Sequence, residues 1–224
     1  MELEKKLKTG NFTTGIIGLG YVGLPLALEF AEKNLQVLGF DLDKSKVEFI
    51  TKKKGSYIKH IPGERIIKAV KSGMLKATSD FSKLKEPDVL IICVPTPLNI
   101  NREPDLTYVF NSAREIAKYM RRGQLITLES TTYPETTDVD LVKILNESGL
   151  KLGKDYFLAF SPEREDPNNP HYSTATIPKV VGGVTPHCTK LAVEVYKKVI
   201  QKVVPVANSR VAEATKLLEN IFRS

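Results

Sequence analysis

Residues 13–41 read TTGIIGLGYVGLPLALEFAEKNLQVLGFD, and this stretch decides the fold. Phe12–Ile17 and Leu35–Phe40 are short, apolar and rich in β-branched or aromatic residues, as strands are. Between them Leu24, Leu28 and Ala31 fall on one helical face. The join carries Gly18, Gly20 and Gly23 in G-x-G-x-x-G spacing. The first glycine permits a tight turn. The second lets backbone approach a pyrophosphate, and the third lets a helix lie close on a strand. A helix start there presents N–H groups and the positive end of a dipole to phosphate. The second strand ends at Asp41, 23 residues after Gly18, where a carboxylate accepts from a ribose 2′-hydroxyl and repels a 2′-phosphate. The pattern predicts NAD rather than NADP. Lys44 and Lys46 supply the opposing reading, since either can meet a phosphate.

Working outward, apolar strand candidates recur at Met74–Thr78, Val89–Val94, Leu125–Leu128, Tyr156–Phe160 and Lys179–Val181. Helical patterns lie between them at Lys44–Lys54, Glu64–Ser72, Thr107–Met120, Thr136–Ser148 and Pro186–Ile200. Runs such as VLIICV imply a sheet covered on both faces. Strand–helix alternation of this kind predicts an α/β fold with a doubly wound, mostly parallel sheet. One Rossmann-like domain is expected over 1–208, with a further helix starting over 209–224. Two stretches break the rhythm, CVPTPLNINREPDLT (93–107) and SPEREDPNNPHYSTATIP (161–178). They hold seven of the 13 prolines. Both leave carboxyl ends of strands, where open α/β sheets bind ligands.

Composition narrows the classes. Hydrophobic residues are 42% and charged residues 26% of the 224, which excludes a disordered tail, a collagen-like repeat and a disulfide scaffold. No apolar run approaches the length of a membrane span, and MELEKKLKTG has no apolar signal core. The formal charge of +7 comes from lysines scattered over many segments, without a basic stripe, so nucleic acid is not an expected partner. Cys93 and Cys188 lack CxxC spacing and read as free thiols in a reducing cytoplasm. His60, His171 and His187 show no ligand spacing, so no metal is expected.

Taken together, IGLGYVGLPLA (17–27), DLDKSKV (41–47), CVPTPLN (93–99), LESTTYP (128–134), FSPEREDPNNP (160–170), IPKVVGG (177–183) and EATKLLEN (213–220) resemble the UDP-glucose/GDP-mannose dehydrogenases. They run in family order across nearly the whole chain. The resemblance implies oxidation of a sugar C6 alcohol to a carboxylate by NAD, with a UDP-sugar substrate and a homo-oligomeric enzyme. The SPERED form is shorter than that of UDP-glucose enzymes and implies an N-acetylated hexosamine, UDP-N-acetylglucosamine foremost.

By the same resemblance Tyr21, Val22, Asp41, Lys46, Thr96 and Thr131 fall on cofactor positions. Thr131 also matches a hydroxyl that orders the hydrolytic water; the alternative without the resemblance is a Ser/Thr cluster (Ser130, Thr131, Thr132) closing a strand. Glu163 matches the general acid/base, and desolvation beside a nicotinamide would raise its pKa toward neutrality. Alone, it reads as readily as a solvated loop acid beside Glu165 and Asp166. Arg164 and Glu165 match substrate contacts. Lys216 and Asn220 are four apart, on one helical face, and match the pair that stabilises an oxyanion. From periodicity alone they fit equally an ordinary amphipathic helix with Glu213 pairing Lys216.

The family's nucleophilic cysteine lies in a Gly-rich segment with no match here. Cys93 reads as a small buried hydrophobe at a strand end, and Cys188 follows Pro186 at a helix start. The expectation is therefore a cofactor-binding half, with a UDP-binding domain absent, that does not carry a sugar through both oxidations by itself. The rival expectation is a stand-alone NAD-binding module.

Overall fold

Eight strands form one sheet in the order β3-β2-β1-β4-β5-β6-β7-β8. Along the chain the elements are α1 (Glu2–Thr9), β1 (Thr13–Ile17), α2 (Gly23–Glu32), β2 (Gln36–Phe40), α3 (Lys44–Thr51), α4 (Gly63–Lys71), β3 (Leu75–Thr78) and β4 (Val89–Ile92). They continue with α5 (Thr107–Tyr119), β5 (Gln124–Leu128), α6 (Val142–Leu145), β6 (Tyr156–Phe160), β7 (Lys179–Gly183), α7 (Pro186–Tyr196), β8 (Val203–Pro205) and α8 (Ser209–Arg223). This is a computed structural model. It describes residues 2–52, 55–59, 61–100, 103–163 and 177–223, with the side chains of all but 220–223.

The strands from β3 across to β6 pair in parallel. Successive residues feed opposite faces. Val89 and Ile91 join the layer under α2 and α7, whereas Leu90 and Ile92 join the layer under α5 and α6. In β6, Phe157 and Ala159 go one way and Tyr156, Leu158 and Phe160 the other. All five residues of β5 and of β6 are buried, as a sheet covered on both faces requires. The chain winds outward from β1 to β3 in one direction and from β4 to β6 in the other. The switch point lies between β1 and β4, where such sheets bind ligands. The doubly wound, mostly parallel α/β sheet predicted from the sequence is present.

The structure adds elements that the apolar pattern did not reveal. β7 runs antiparallel to β6, with Phe160 opposite Gly182, and β8 pairs with it in parallel. Helix α1 lies against α7 through Leu3 and Leu7 and is tied to the sheet by Lys6, whose Nζ is 2.9 Å from Asp88 Oδ1. The helix expected over 136–148 is three pieces: a π-helical turn (Thr136–Leu141), α6, and a 3₁₀ turn (Asn146–Ser148). Its start is held from outside by Glu213 of α8, which takes the N–H groups of Glu135 and Thr137 at 3.0 and 2.9 Å. Glu135 itself is left-handed, with φ 86°. The segment from 209 onward docks on the domain, with Ala212 and Glu213 fully buried. At Gly182 of β7 an added Cβ would meet Asn208 O at 2.1 Å.

Candidate functional site

The glycine loop turns β1 into α2 by geometry that only its glycines allow. Gly18 has φ +93°, a conformation that L side chains rarely adopt. A Cβ at Gly23 would lie 1.9 Å from Gly18 O, so the helix can sit this close only without one. At Gly20 an added Cβ would meet nothing within 4 Å; the loop faces open space there, where a phosphate needs to approach. Val22 at the N-cap of α2 makes no side-chain capping bond. These features fit a dinucleotide's pyrophosphate. Tyr57 supports the loop from behind, its hydroxyl donating to Leu19 O at 2.6 Å. Burial raises the Tyr57 hydroxyl pKa well above its usual value, with Asp41 and Asp43 adding to the effect.

Asp41 follows β2 and is buried. Its Oδ2 accepts from Leu19 N at 2.8 Å and from Lys46 Nζ at 3.4 Å, and its Oδ1 accepts from Asp43 N at 2.9 Å. A carboxylate offers about four acceptor positions, so one Oδ1 direction is left for a ligand hydroxyl. Lys46, which could have met a phosphate, is paired with Asp41. Tyr21 is 63% exposed beside this loop, and Thr96, past β4, is half-buried.

Further along the same sheet edge, Ser130 ties the segment after β5 to the segment after β4 by donating to Val94 O at 2.6 Å. Thr131 is half-buried next to it, while Thr132 is fully buried and bonds Thr136. Glu163 follows β6 and is 8% exposed, which removes the reading of a solvated loop acid. Lys216 of α8 donates its Nζ to Glu163 O, so the two residues meet through the Glu163 backbone carbonyl. Glu213 does not pair with Lys216 as an amphipathic helix suggested. It turns inward to Glu135 N, Thr137 N and Thr137 Oγ1. Arg164 and Glu165 lie outside the described residues, as do His60 and His171. The backbone of Asn220 continues α8, and its side chain is likewise outside the description.

Sequence reasoning missed the charged cluster under this edge. Glu129 and Lys179 are 1% and 4% exposed, with Lys179 Nζ 2.9 Å from Glu129 Oε2 and 3.5 Å from Glu163 Oε2. The Tyr196 hydroxyl of α7 donates to Glu129 Oε1 at 2.5 Å, and its ring lies 5.0 Å from the Lys179 ammonium. Burial pushes the Glu129 carboxyl up to about 7 against the pull of Lys179. Burial alone would lower the Lys179 ammonium, but Glu129 and Glu163 overcome it and hold its proton above the usual range. Burial and Glu129 also raise the Cys93 thiol well above its ordinary value. A charge inside an otherwise apolar strand, as in ITLE and PKVV, was the available signal, because buried charges need partners. Cys93 and Cys188 are free and buried. Among the described residues no His, Cys, Asp and Glu cluster suits a metal, and no helix is long and apolar enough to cross a membrane.

With this geometry the chain matches known proteins over most of its length. It is 38% identical over 210 residues to UDP-N-acetyl-D-glucosamine 6-dehydrogenase of Salmonella typhi, covering 93% of this chain and 48% of that protein. The structure of UDP-D-ManNAc dehydrogenase from Pyrococcus horikoshii superposes with a TM-score of 0.89 at 33% identity, covering 94% of this chain and 50% of that one. NDP-N-acetyl-D-galactosaminuronic acid dehydrogenase of Methanosarcina mazei gives 0.86 at 36% identity, covering 99% and 50%. The chain thus spans about half the length of the relatives it matches. The model of the UDP-glucose/GDP-mannose dehydrogenase family's NAD binding domain matches residues 12–200, and the chain belongs to that family.

Proposed function

We propose that this chain is the cofactor-binding and proton-transferring part of a dehydrogenase that oxidises the C6 alcohol of a UDP-N-acetylhexosamine to the uronic acid, with NAD as hydride acceptor. The observation that carries the reading is that the dinucleotide-shaped loop at Gly18–Gly23 and the Glu163–Lys216 contact lie along one edge of one sheet. Gly18, Gly20, Tyr21, Val22, Gly23, Asp41, Lys46, Thr96 and Thr131 hold the cofactor. Asp41 directs its remaining acceptor position to the ribose. NAD supplies the electron sink for the carbinol hydrogen.

Glu163, desolvated at the end of β6, takes the hydroxyl proton. Lys216 and Asn220, one turn apart on α8, stabilise the alkoxide that develops, and Thr131 orders the water for the later hydrolysis. Arg164 and Glu165 contact the sugar. Chemistry that needs an activated thiol is not served by Cys93 or Cys188, because both are buried. This supports the expectation that the present residues alone do not complete both oxidations. Self-association is part of the proposal, supported by Val211 and Leu218, exposed on α8 by 42% and 57%. A cytoplasmic setting accords with two unpaired thiols.

The test has two stages. Calorimetric titration should show NAD(H) binding more tightly than NADP(H), with Asp41→Asn narrowing the difference. Equal affinities in the parent chain refute the role of Asp41. NADH formation is then followed with UDP-N-acetylglucosamine, its manno and galacto epimers, and UDP-glucose. Relatives acting on different epimers match at 33–38% identity, so the epimer is read from this assay. NADH formed only with UDP-glucose overturns the N-acetylhexosamine reading. Sustained yield of two NADH per sugar overturns the thiol argument.

A further inference from the structure

β7 begins at the site because it runs backwards. In the six-strand parallel array every strand delivers its last residue to the ligand edge, and its first residue lies at the far side. Since β7 is antiparallel to β6, its first residue, Lys179, lies at that edge. Continuing the register from Phe160 opposite Gly182 sets Lys179 opposite Glu163, and Ser161 Oγ donates to Val180 O at 2.9 Å between them. The ammonium is thus carried by the first residue of β7 and lies 3.5 Å from the carboxylate of Glu163, three residues beyond the end of β6.

Lys179 has no freedom to leave. Glu129 accepts from it at 2.9 Å, Tyr196 holds the other oxygen of Glu129, and the Tyr196 ring flanks the ammonium. Two carboxylates therefore share one buried ammonium, and a change in one alters what the ammonium gives the other. Among the described residues, the groups facing Glu163 include Lys179 from β7, Lys216 from α8 through the Glu163 carbonyl, Glu129 from the end of β5 and, behind them, Cys93 from the end of β4 and Tyr196 from α7.

We propose that Lys179, clamped by Glu129 and Tyr196, is the positioning residue of Glu163, fixing where its carboxyl sits and how readily it holds a proton. The inference rests on the role given to Glu163 above. Lys179 touches no substrate; it acts through Glu163. Glu129 is the counterweight, because the more charge it carries, the less of the ammonium's field reaches Glu163.

The test reads the carboxyl itself and needs no turnover. The chain is labelled with 13C at its glutamate carboxyls, and the Glu163 resonance is identified by its loss in Glu163→Gln. Removing the ammonium with Lys179→Met should raise the Glu163 midpoint by about one pH unit, tenfold in proton affinity. Lys179→Arg should return it most of the way. Glu129→Gln should not raise it, because the neutral amide cannot draw on the ammonium. Lys179→Met could strand the Glu129 carboxylate and unfold the chain, so the comparison is repeated as Glu129→Gln against Glu129→Gln with Lys179→Met. A Glu163 midpoint unmoved by loss of Lys179 in the foldable background overturns the proposal and leaves Lys179 as a strut for Glu129. Coupling observed together with undiminished turnover in Glu163→Gln would instead sink the catalytic role of Glu163 and leave the positioning intact.

Discussion

Glu213→Ala is the perturbation whose cost can be worked from the structure. The carboxylate is fully buried and accepts from Glu135 N, Thr137 N and Thr137 Oγ1 at 3.0, 2.9 and 2.6 Å. Hydrogen bonds to a charged acceptor are worth about 1.5 kcal/mol each at the low end, so three give about 4–5 kcal/mol. Removing a desolvated carboxylate returns about 1–2 kcal/mol of that, and burial does hold the Glu213 pKa above its ordinary value. The net loss is about 3 kcal/mol, which for a chain of this size lowers Tm by roughly 6–12 °C. Urea unfolding followed by circular dichroism measures it. Glu213→Gln, which keeps one acceptor oxygen, should lose about half as much. NAD(H) affinity should change less than stability, because the glycine loop follows β1 while the anchored turn follows β5 and adjoins only Thr131 of the proposed cofactor residues. Loss of less than about 0.5 kcal/mol in Glu213→Ala, the range of an ordinary surface change, would refute the anchoring role.

The glycine loop supplies a paired prediction. Gly23→Ala forces a Cβ to within 1.9 Å of Gly18 O and should destabilise the chain by about 1–3 kcal/mol through overpacking. Gly20→Ala fills open space, so it should leave the unfolding curve in place and weaken NAD(H) binding by about tenfold, or 1.4 kcal/mol. Reversed phenotypes in calorimetry and unfolding would contradict the assignment of roles. The pH dependence of stability should carry the mark of Glu129. Its folded pKa, about 7, lies above the ordinary 4.5, so the native state holds the extra proton. That contribution is greatest below about pH 4.5 and is lost as pH rises toward about 7. Glu129→Gln should flatten this limb in urea titrations at successive pH values, and an unchanged slope would count against it.

The opening βαβ unit was legible because its signal is local: alternating element types, three glycines at fixed spacing, and an acid at the next strand end. Glu163 and Lys216 came from motif resemblance, and the structure shows the contact between them that spacing could not. Helix α1 escaped because only Leu3 and Leu7 mark its face in ELEKKLKT. β8 escaped because three residues ending in proline carry no periodicity. The direction of β7 is not written in its residues at all, since apolar alternation reads the same whichever way a strand runs. With that direction unknown, Lys179 could not be matched to Glu129 or Glu163. Glu213 looked like a partner for Lys216 at three residues' distance, and only tertiary packing turned it inward.

The reversal of β7 also bears on how such a site can diverge. Glu163 and Lys179 are joined by an ion pair beside the β6–β7 register, and fifteen residues lie between them in sequence. Closing a loop between fixed ends costs only about 0.6 kcal/mol more for each doubling of its length. Insertions or deletions between these two residues are therefore cheap, and the Glu163–Lys179 contact can outlast them. Arg164 and Glu165, proposed to touch the sugar, belong to that tolerant stretch. Under the roles proposed here, substrate preference can drift by changes of length and sequence there, while Glu163 and Lys179 keep their contact beside the sheet.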